Sequence, residues 1–492
     1  MRYILGIDIG TTNTKAVSYS EKGNLLAHAN VSNTFKAQSE GVHEADPEGL
    51  CNEVIKVIKE AVNLTKDHEL AGICFSAAMH GLIAVDENGK PLTNMITWAD
   101  LRSKAYAAKL KNTELGTRLY ERTGTPIHPM SPLCKLMWMK DAEPEIFNKA
   151  HKFISIKEFI FFKFFGKYII DHSIASATGL FDVINIDWNK EALEVAGITA
   201  DKLSEHQSVL YILTGLKGDY AKALGIEVNT PFILGGSDGC LAHLGSNALK
   251  KNEVSLTIGT SGAVRMMTEK PSHDTLQRVF NYLLTDDKYI SGGPVNNGGN
   301  VLQWFAMSFL GKKIVAGEEY DWYVKEAMKV EPGCNGLVFL PYIYGERAPV
   351  WDADARGVFF GMSGTHTQSH FMRAVLEGVC FALYGILKTL EEVIGKSENI
   401  FVSGGFIHSK PWVSMLSDIF GKQLFVSGSE DASAAGAAII GLQALGSVKD
   451  LADAPAFFTV TETYQPDMKN HEAYKNNYSV YSSLYDKLKG LK

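Results

Sequence analysis

No Cys-x-x-Cys pair occurs in this sequence; its six cysteines, at positions 51, 74, 134, 240, 334 and 380, are scattered through 492 residues. Such spacing argues against a zinc site or a disulfide framework and fits buried, reduced thiols. Long apolar runs are missing as well. The most apolar stretch, Phe159-Ile160-Phe161-Phe162-Lys163-Phe164-Phe165, is broken by a lysine and followed by Gly166 and Lys167, well short of the ~20 residues a membrane-spanning helix needs. No bilayer crossing is expected. Positive charge is not in excess either: 48 Lys and Arg stand against 55 Asp and Glu, a net charge of −7. That balance disfavours a nucleic-acid backbone or an anionic membrane surface as partner, and neither end carries a basic segment or a helix-turn-helix pattern that would suit a regulator. Proline is sparse at 15 residues, and with 46% hydrophobic and 21% charged residues the composition excludes disorder and collagen-like repeats. The opening Met1-Arg2-Tyr3-Ile4-Leu5 runs into a strand-like segment without a small-residue cleavage site, so a cytoplasmic protein is the expectation. Two familiar nucleotide signatures are absent too: there is no G-x-x-x-x-G-K-[ST], and Gly6-Ile7-Asp8-Ile9-Gly10 lacks the G-x-G-x-x-G spacing.

What is present organises itself in two halves. Single cores stop growing near roughly 250–300 residues, so 492 residues call for at least two domains. Tyr3–Ile9 and Lys15–Tyr19 read as a β-hairpin, Asp46-Pro47 starts an amphipathic helix carrying Leu50, Val54, Val57, Ile58 and Ala61, and Gly72–Ser76 reads as a buried strand. Near residue 230 the same grammar restarts. Strand-like Pro231–Leu234 leads into Gly235-Gly236-Ser237-Asp238-Gly239, read as a glycine loop, and Val254–Ile258 ends at Gly259-Thr260-Ser261-Gly262. A helix from about His370 to Leu390, a strand at Ile400–Ser403 and an alanine-rich helix near Ser433–Leu442 follow. The expectation is an α/β protein with mixed sheets flanked by helices, cut into domains 1–245 and 246–492.

Two turns, Gly10-Thr11-Thr12 and Gly259-Thr260-Ser261, each place glycine and hydroxyl residues between strand-like segments, half a chain apart. Glycine permits close backbone approach, so N–H groups and hydroxyls can converge on phosphate oxygens, with Lys15 as a point charge. Plain hairpin turns explain either one alone. Asp8, at the end of a strand beside the first turn, is placed to hold a hydrated Mg²⁺, with a turn-capping role as the plain alternative. Asp238 sits among residues with almost no side chain, leaving its carboxylate free to reach a substrate hydroxyl as a general base. Ala78-Met79-His80-Gly81 and Thr97-Trp98-Ala99-Asp100-Leu101-Arg102 put polar groups beside apolar platforms, as polyol sites do. Lys135 and Trp138 share one turn of a helix, with Trp138 free to be simply buried.

At this point the chain resembles the FGGY carbohydrate kinases across its length. Met130-Ser131-Pro132-Leu133-Cys134-Lys135-Leu136-Met137-Trp138 fits the first family signature, and Gly357-Val358-Phe359-Phe360-Gly361-Met362 with His370-Phe371 and Ala374–Glu377 fits the second. Within the family, Ser76–His80, Ile96–Asp100, Thr123–Met130 and Gly292–Gly299 are similar to the bacterial gluconokinase branch. The resemblance implies two domains of the actin-like, ribonuclease-H-like ATPase fold, with ATP·Mg²⁺ and sugar meeting in a cleft that closes during turnover. It implies Asp8 for Mg²⁺, Thr11, Thr12, Asn13 and Lys15 for the phosphates, and Gly259 and Thr260 for the second phosphate loop. Gly299, Gln303, Gly404 and Gly405 would border the nucleotide, Asp238 would be the catalytic base, and Met79, His80, Trp98, Asp100 and Arg102 would contact the sugar. The expected partners are ATP and a sugar or sugar acid, with a homodimer allowed and no nucleic acid or membrane.

One departure narrows the substrate. Glycerol kinases carry a tyrosine where this chain has Met130, and an Arg-Glu pair where it has Met79-His80, so glycerol is disfavoured. Xylulokinases also carry Met-His there, which leaves a ketose open beside gluconate. A gluconate carboxylate would need cationic donors, for which Arg102, His80, His128 and Lys135 are candidates. An actin-like ATPase without a sugar acceptor is the alternative from a different class.

Overall fold

A computed structural model describes residues 1–33, 35–39, 41–314, 317–427, 431–454, 457 and 459–491. Contacts gather them into two compact units. Unit 1 comprises Met1–Lys251, Met267–Ser291 and Asp431–Phe458; unit 2 comprises Asn252–Met266, Gly292–Glu430 and Thr459–Lys492. Contacts thus divide the chain differently from a single cut after residue 245, because two later segments pack back onto unit 1.

Unit 1 is built on a six-stranded sheet in the order Ile212–Leu213, Phe232–Ser237, Glu69–Ala77, Arg2–Ile9, Asn13–Ser20, Leu25–Ser32. The last three form an antiparallel meander, whereas Glu69–Ala77 runs parallel to both Arg2–Ile9 and Phe232–Ser237. Strand alternation explains how one strand serves two cores. Tyr3, Leu5, Ile7 and Ile9 pack with Val54, Ile58 and Ala61 of the helix Pro47–Leu64 and with Phe159, Phe161 and Phe164. Facing the other way, Ile4 packs with Val17, Cys74, Ala434, Ala438 and Ile440. Each fully buried large apolar side chain stabilises by about 1.5–3 kcal/mol. Gly6 lies on this second face, where the helix Ala432–Ala444 comes so close that a Cβ would sit 2.1 Å from the Ala434 carbonyl oxygen. The helix Pro47–Leu64 starts as its sequence suggests, with Asp46 accepting the Glu48 N–H at 3.1 Å and proline in the first turn.

One expectation is corrected here. Gly235–Gly239 is not a loop: the strand Phe232–Ser237 continues through the two glycines, and the helix Asp238–Gly245 begins at once behind the Ser237 cap. Gly235 has φ +63° and absorbs a register shift against Glu69–Ala77, which lets the ladder resume at Gly236.

Unit 2 repeats the grammar. Val254–Ile258 and Gly262–Thr268 form an antiparallel hairpin, Ile400–Ser403 and Leu424–Ser427 add in parallel, and Val460–Tyr464 closes antiparallel. Its central helix, Gln368–Val393, buries Val375, Leu376, Val379, Leu383, Ile386 and Leu387. Among the described residues this is the one helix long and apolar enough to cross a membrane, and 78% of its most apolar window is covered by the protein itself. All six cysteines are buried and none is joined in a disulfide among the described residues, and burial pushes the thiols of Cys51, Cys74 and Cys380 up to about 12.

Candidate functional site

In unit 1 the hairpin between the first two strands sets the first group of candidates. The turn is closed by the Gly10 N–H donating to the Asn13 carbonyl at 3.0 Å and braced by Asn33, whose side chain donates to the Gly10 carbonyl at 2.8 Å. Strand register places Asp8 opposite Lys15 on one side and opposite Ser76 on the other. Ser76 Oγ donates to Asp8 Oδ1 at 3.0 Å. Burial first, and then the neighbouring Asp238 carboxylate, push Asp8 up to about 7, while Ser76 and Lys15 pull the other way. A carboxylate pair held this way suits a hard divalent cation, which removes the repulsion and asks for only one or two carboxylates. Thr11 accepts the Trp98 indole N–H at 3.1 Å, and Thr12 is exposed.

Lys15 Nζ lies 2.7 Å from Asp431 Oδ1, and His28 Nε2 lies 3.3 Å from Oδ2 of the same carboxylate. Sequence reasoning missed Asp431. It arrives from 416 residues away at the start of the helix Ala432–Ala444, and nothing in its local pattern marks it. Asp238 is the first residue of the helix Asp238–Gly245 and is partly exposed; its Oδ1 accepts the Gly239 N–H at 2.7 Å.

The sugar candidates also gather in unit 1. Met79 and Trp98 line a small cavity with Gly10, Thr11, Gly81 and Thr97. His80 is buried, has φ +66°, and its Nδ1 lies 2.7 Å from the Ala177 carbonyl. Because a carbonyl only accepts, that nitrogen carries the proton. Asp100 and Arg102 form a compact pair: Arg102 Nε reaches both Asp100 oxygens at 3.0 Å, and its terminal nitrogen reaches Glu44 at 2.6 Å. The guanidinium also lies 4.6 Å over the Trp138 ring, so Trp138 is half-buried rather than core. Lys135 is buried and donates to the His80 carbonyl at 2.5 Å and the Ile96 carbonyl at 3.2 Å. Burial pulls its ammonium down to about 7, opposed by Asp100. Of the cationic carboxylate candidates, Arg102 is thus already matched by two carboxylates, and Lys135 by two carbonyls. His128 is buried and accepts the Met130 N–H at 3.2 Å.

Unit 2 brings the remaining candidates together. Gly259, Thr260, Gly299, Gln303 and Gly405 line one cavity of about 540 Å³. Its shape follows from close backbone packing: the Gly299 N–H donates to the Gly259 carbonyl at 2.8 Å, and the Asn300 N–H to the Thr260 carbonyl at 3.2 Å. Gly299 opens the helix Gly299–Leu310, so the positive end of that helix dipole is at the cavity. Gly404 does not line it; with φ +97° it turns the chain just before Gly405. Tyr320, Phe406 and Trp412 supply apolar walls and were not anticipated, since single aromatics read as core in a sequence. A slightly larger cavity of about 590 Å³, around Leu340, Asp352, Arg356 and Tyr485, contains none of the candidates.

The comparisons with known proteins agree across the chain. The N-terminal domain of the FGGY family of carbohydrate kinases matches residues 3–245, and its C-terminal domain matches residues 254–445. A gluconokinase of Bacillus subtilis is 42% identical over 98% of this chain and 95% of its own. A xylulose kinase of Staphylococcus epidermidis is 32% identical over 99% and 97%. Among solved structures, a gluconate kinase from Lactobacillus acidophilus superposes with a TM-score of 0.93 at 34% identity, covering 99% of this chain and 98% of that one. A ligand-bound xylulose kinase from the same organism gives 0.93 at 33% identity, covering 100% and 99%.

Proposed function

The chain belongs to the FGGY family of carbohydrate kinases, and from that premise we propose that it phosphorylates D-gluconate at its terminal hydroxyl with ATP. The observation that carries the reading is Asp238: a partly exposed carboxylate at a helix start, electrostatically coupled to Asp8 beside the Lys15 hairpin. Identity of 42% to a gluconokinase against 32% to a xylulose kinase, each over nearly full length, favours the sugar acid over the ketose.

In this reading Asp238 accepts the proton of the O6 hydroxyl as that oxygen attacks the γ-phosphoryl group in line. A base needs an acceptor lone pair within reach of the substrate, and Asp238 is a partly exposed carboxylate whose Oδ1 accepts the Gly239 N–H. Lys15 exchanges its Asp431 partner for β- or γ-phosphate oxygens, and Thr11, Thr12 and Asn13 present the turn to the same oxygens. Asp8 would hold Mg²⁺, which when bound neutralises charge on the transferring phosphoryl oxygens. Gly259, Thr260, Gly299, Gln303 and Gly405 border the nucleotide, with Gly404 turning the chain into Gly405 and Tyr320 and Trp412 as flat walls for its base. Met79 and Trp98 give the sugar an apolar platform, and His80, Asp100 and Arg102 give its hydroxyls donors and acceptors. Buried reduced thiols and these substrates fit a cytoplasmic enzyme.

A panel of D-gluconate, D-xylulose, glycerol and related polyols with ATP and Mg²⁺ tests the assignment. Turnover is expected to be highest on gluconate; equal kcat/KM on D-xylulose would remove the subfamily reading while leaving the family intact.

A further inference from the structure

Lys157, in the helix Ile156–Phe165, is buried with 2% of its surface exposed. A buried ammonium carries three N–H donors, each of which needs an acceptor. Lys157 finds three. The Asp171 carboxylate lies at 2.6 Å, and the carbonyls of Leu234 and Gly236 both lie at 3.0 Å.

Those two carbonyls lie on either side of Gly235, in the strand that ends at Ser237 just before Asp238. Ile233 pairs with Cys74 and Gly236 pairs with Ser76, so Leu234 and Gly235 together oppose Phe75 alone. That is a β-bulge, which re-aims the strand beyond it. Gly235 is obligatory there, because at φ +63° a Cβ would lie 1.9 Å from the Phe75 carbonyl oxygen. Past the bulge only Gly236 and Ser237 remain before Asp238. The Ser237 N–H donates to Ser173 Oγ at 3.1 Å, and the two hydroxyl oxygens are 3.0 Å apart. Asp171 caps the short helix carrying Ser173, accepting the Ile174 N–H at 2.8 Å. One buried ion pair therefore holds both the bulge and the helix against which the strand end rests.

We propose that Lys157 is a positioning residue for the catalytic base, fixing through the bulge the direction in which Asp238 leaves the strand. The proposal rests on the reading of Asp238 as that base. An apolar side chain of similar length would avoid the desolvation of a charge, yet it would leave the Leu234 and Gly236 carbonyls without their donor. A base misplaced by about 1 Å can cost on the order of 10²-fold in rate.

Three variants, assayed at saturating gluconate with ATP varied, test this. Lys157→Met lowers kcat at least tenfold, leaves KM for ATP within twofold, and lowers the thermal midpoint because Asp171 loses its partner. Combining Lys157→Met with Asp171→Asn removes the unpaired charge while keeping the Oδ1 cap. The midpoint then recovers but kcat stays at least tenfold down. If kcat recovers together with the midpoint, Lys157 only supports the fold and the proposal is overturned. Should neither variant fold, Ser173→Ala takes their place, since it removes the acceptor of the Ser237 N–H without touching a charge; unchanged kcat there also overturns the proposal. Asp238→Asn separates the two readings. If it retains more than a tenth of kcat, the base assignment itself falls; if it is inactive while the Lys157 variants keep full kcat, only the positioning role falls.

Discussion

At the scale of single residues, Asp238 carries the sharpest expectation. General base catalysis typically contributes 10²–10⁴-fold, so Asp238→Asn should lower kcat at least ~100-fold with KM for ATP little changed, measured by ADP release with gluconate. Lys135 gives a pH signature. Burial holds its ammonium down at about 7, below the ordinary lysine value. A depressed folded pKa means that the neutral form is favoured on folding. The stability it contributes is therefore present above the unfolded value, is lost as pH falls towards 7, and stays lost below that. Thermal midpoints from pH 10 to 6 should fall more steeply for the native protein than for Lys135→Met; parallel curves would show that Lys135 does not titrate there. Asp8, Lys15 and the turn residues were readable from sequence because a hairpin keeps them within eight positions of one another. Asp431 was not, since its place beside Lys15 depends on a helix returning across 416 residues, and Tyr320 and Trp412 were not, because an aromatic wall of a cavity and an aromatic core residue follow the same helical spacing.

Among the elements, the opening hairpin, the helix behind Asp46-Pro47 and the strand at Ile400–Ser403 were all legible, because period-2 or period-3.6 patterning and end caps are local signals. The bulge in Phe232–Ser237 was not. Paired glycines are the usual mark of a loop, and only the neighbouring strand reveals that one absorbs a register shift and the other rejoins the ladder. Helix–sheet contact supplies a test of the packing. Gly6→Ala would place a methyl 2.1 Å from the Ala434 carbonyl oxygen, and overpacking of this kind costs about 1–3 kcal/mol. Its midpoint in urea should fall accordingly with the slope unchanged; native stability would mean that the helix Ala432–Ala444 moves aside freely.

For the whole molecule, length and the two matching turns were enough to indicate a duplicated architecture, and both units indeed open with a hairpin followed by parallel strands. A carbohydrate kinase differs from an actin-like ATPase in needing its acceptor. ADP release from ATP should therefore rise at least tenfold on adding gluconate, and sugar-independent release of similar speed would favour the ATPase reading. The path of the chain has a consequence for synthesis. Ile4, Gly6 and Cys74 present one face of the unit 1 sheet to the helix Ala432–Ala444, which the ribosome makes long after that sheet's first strands. Domains usually complete in the order of translation, but here the strand Arg2–Ile9 waits for a helix far along the chain. Until then that face is open, which leaves the apolar side chains of Ile4, Val17 and Cys74 exposed to aggregation throughout that interval.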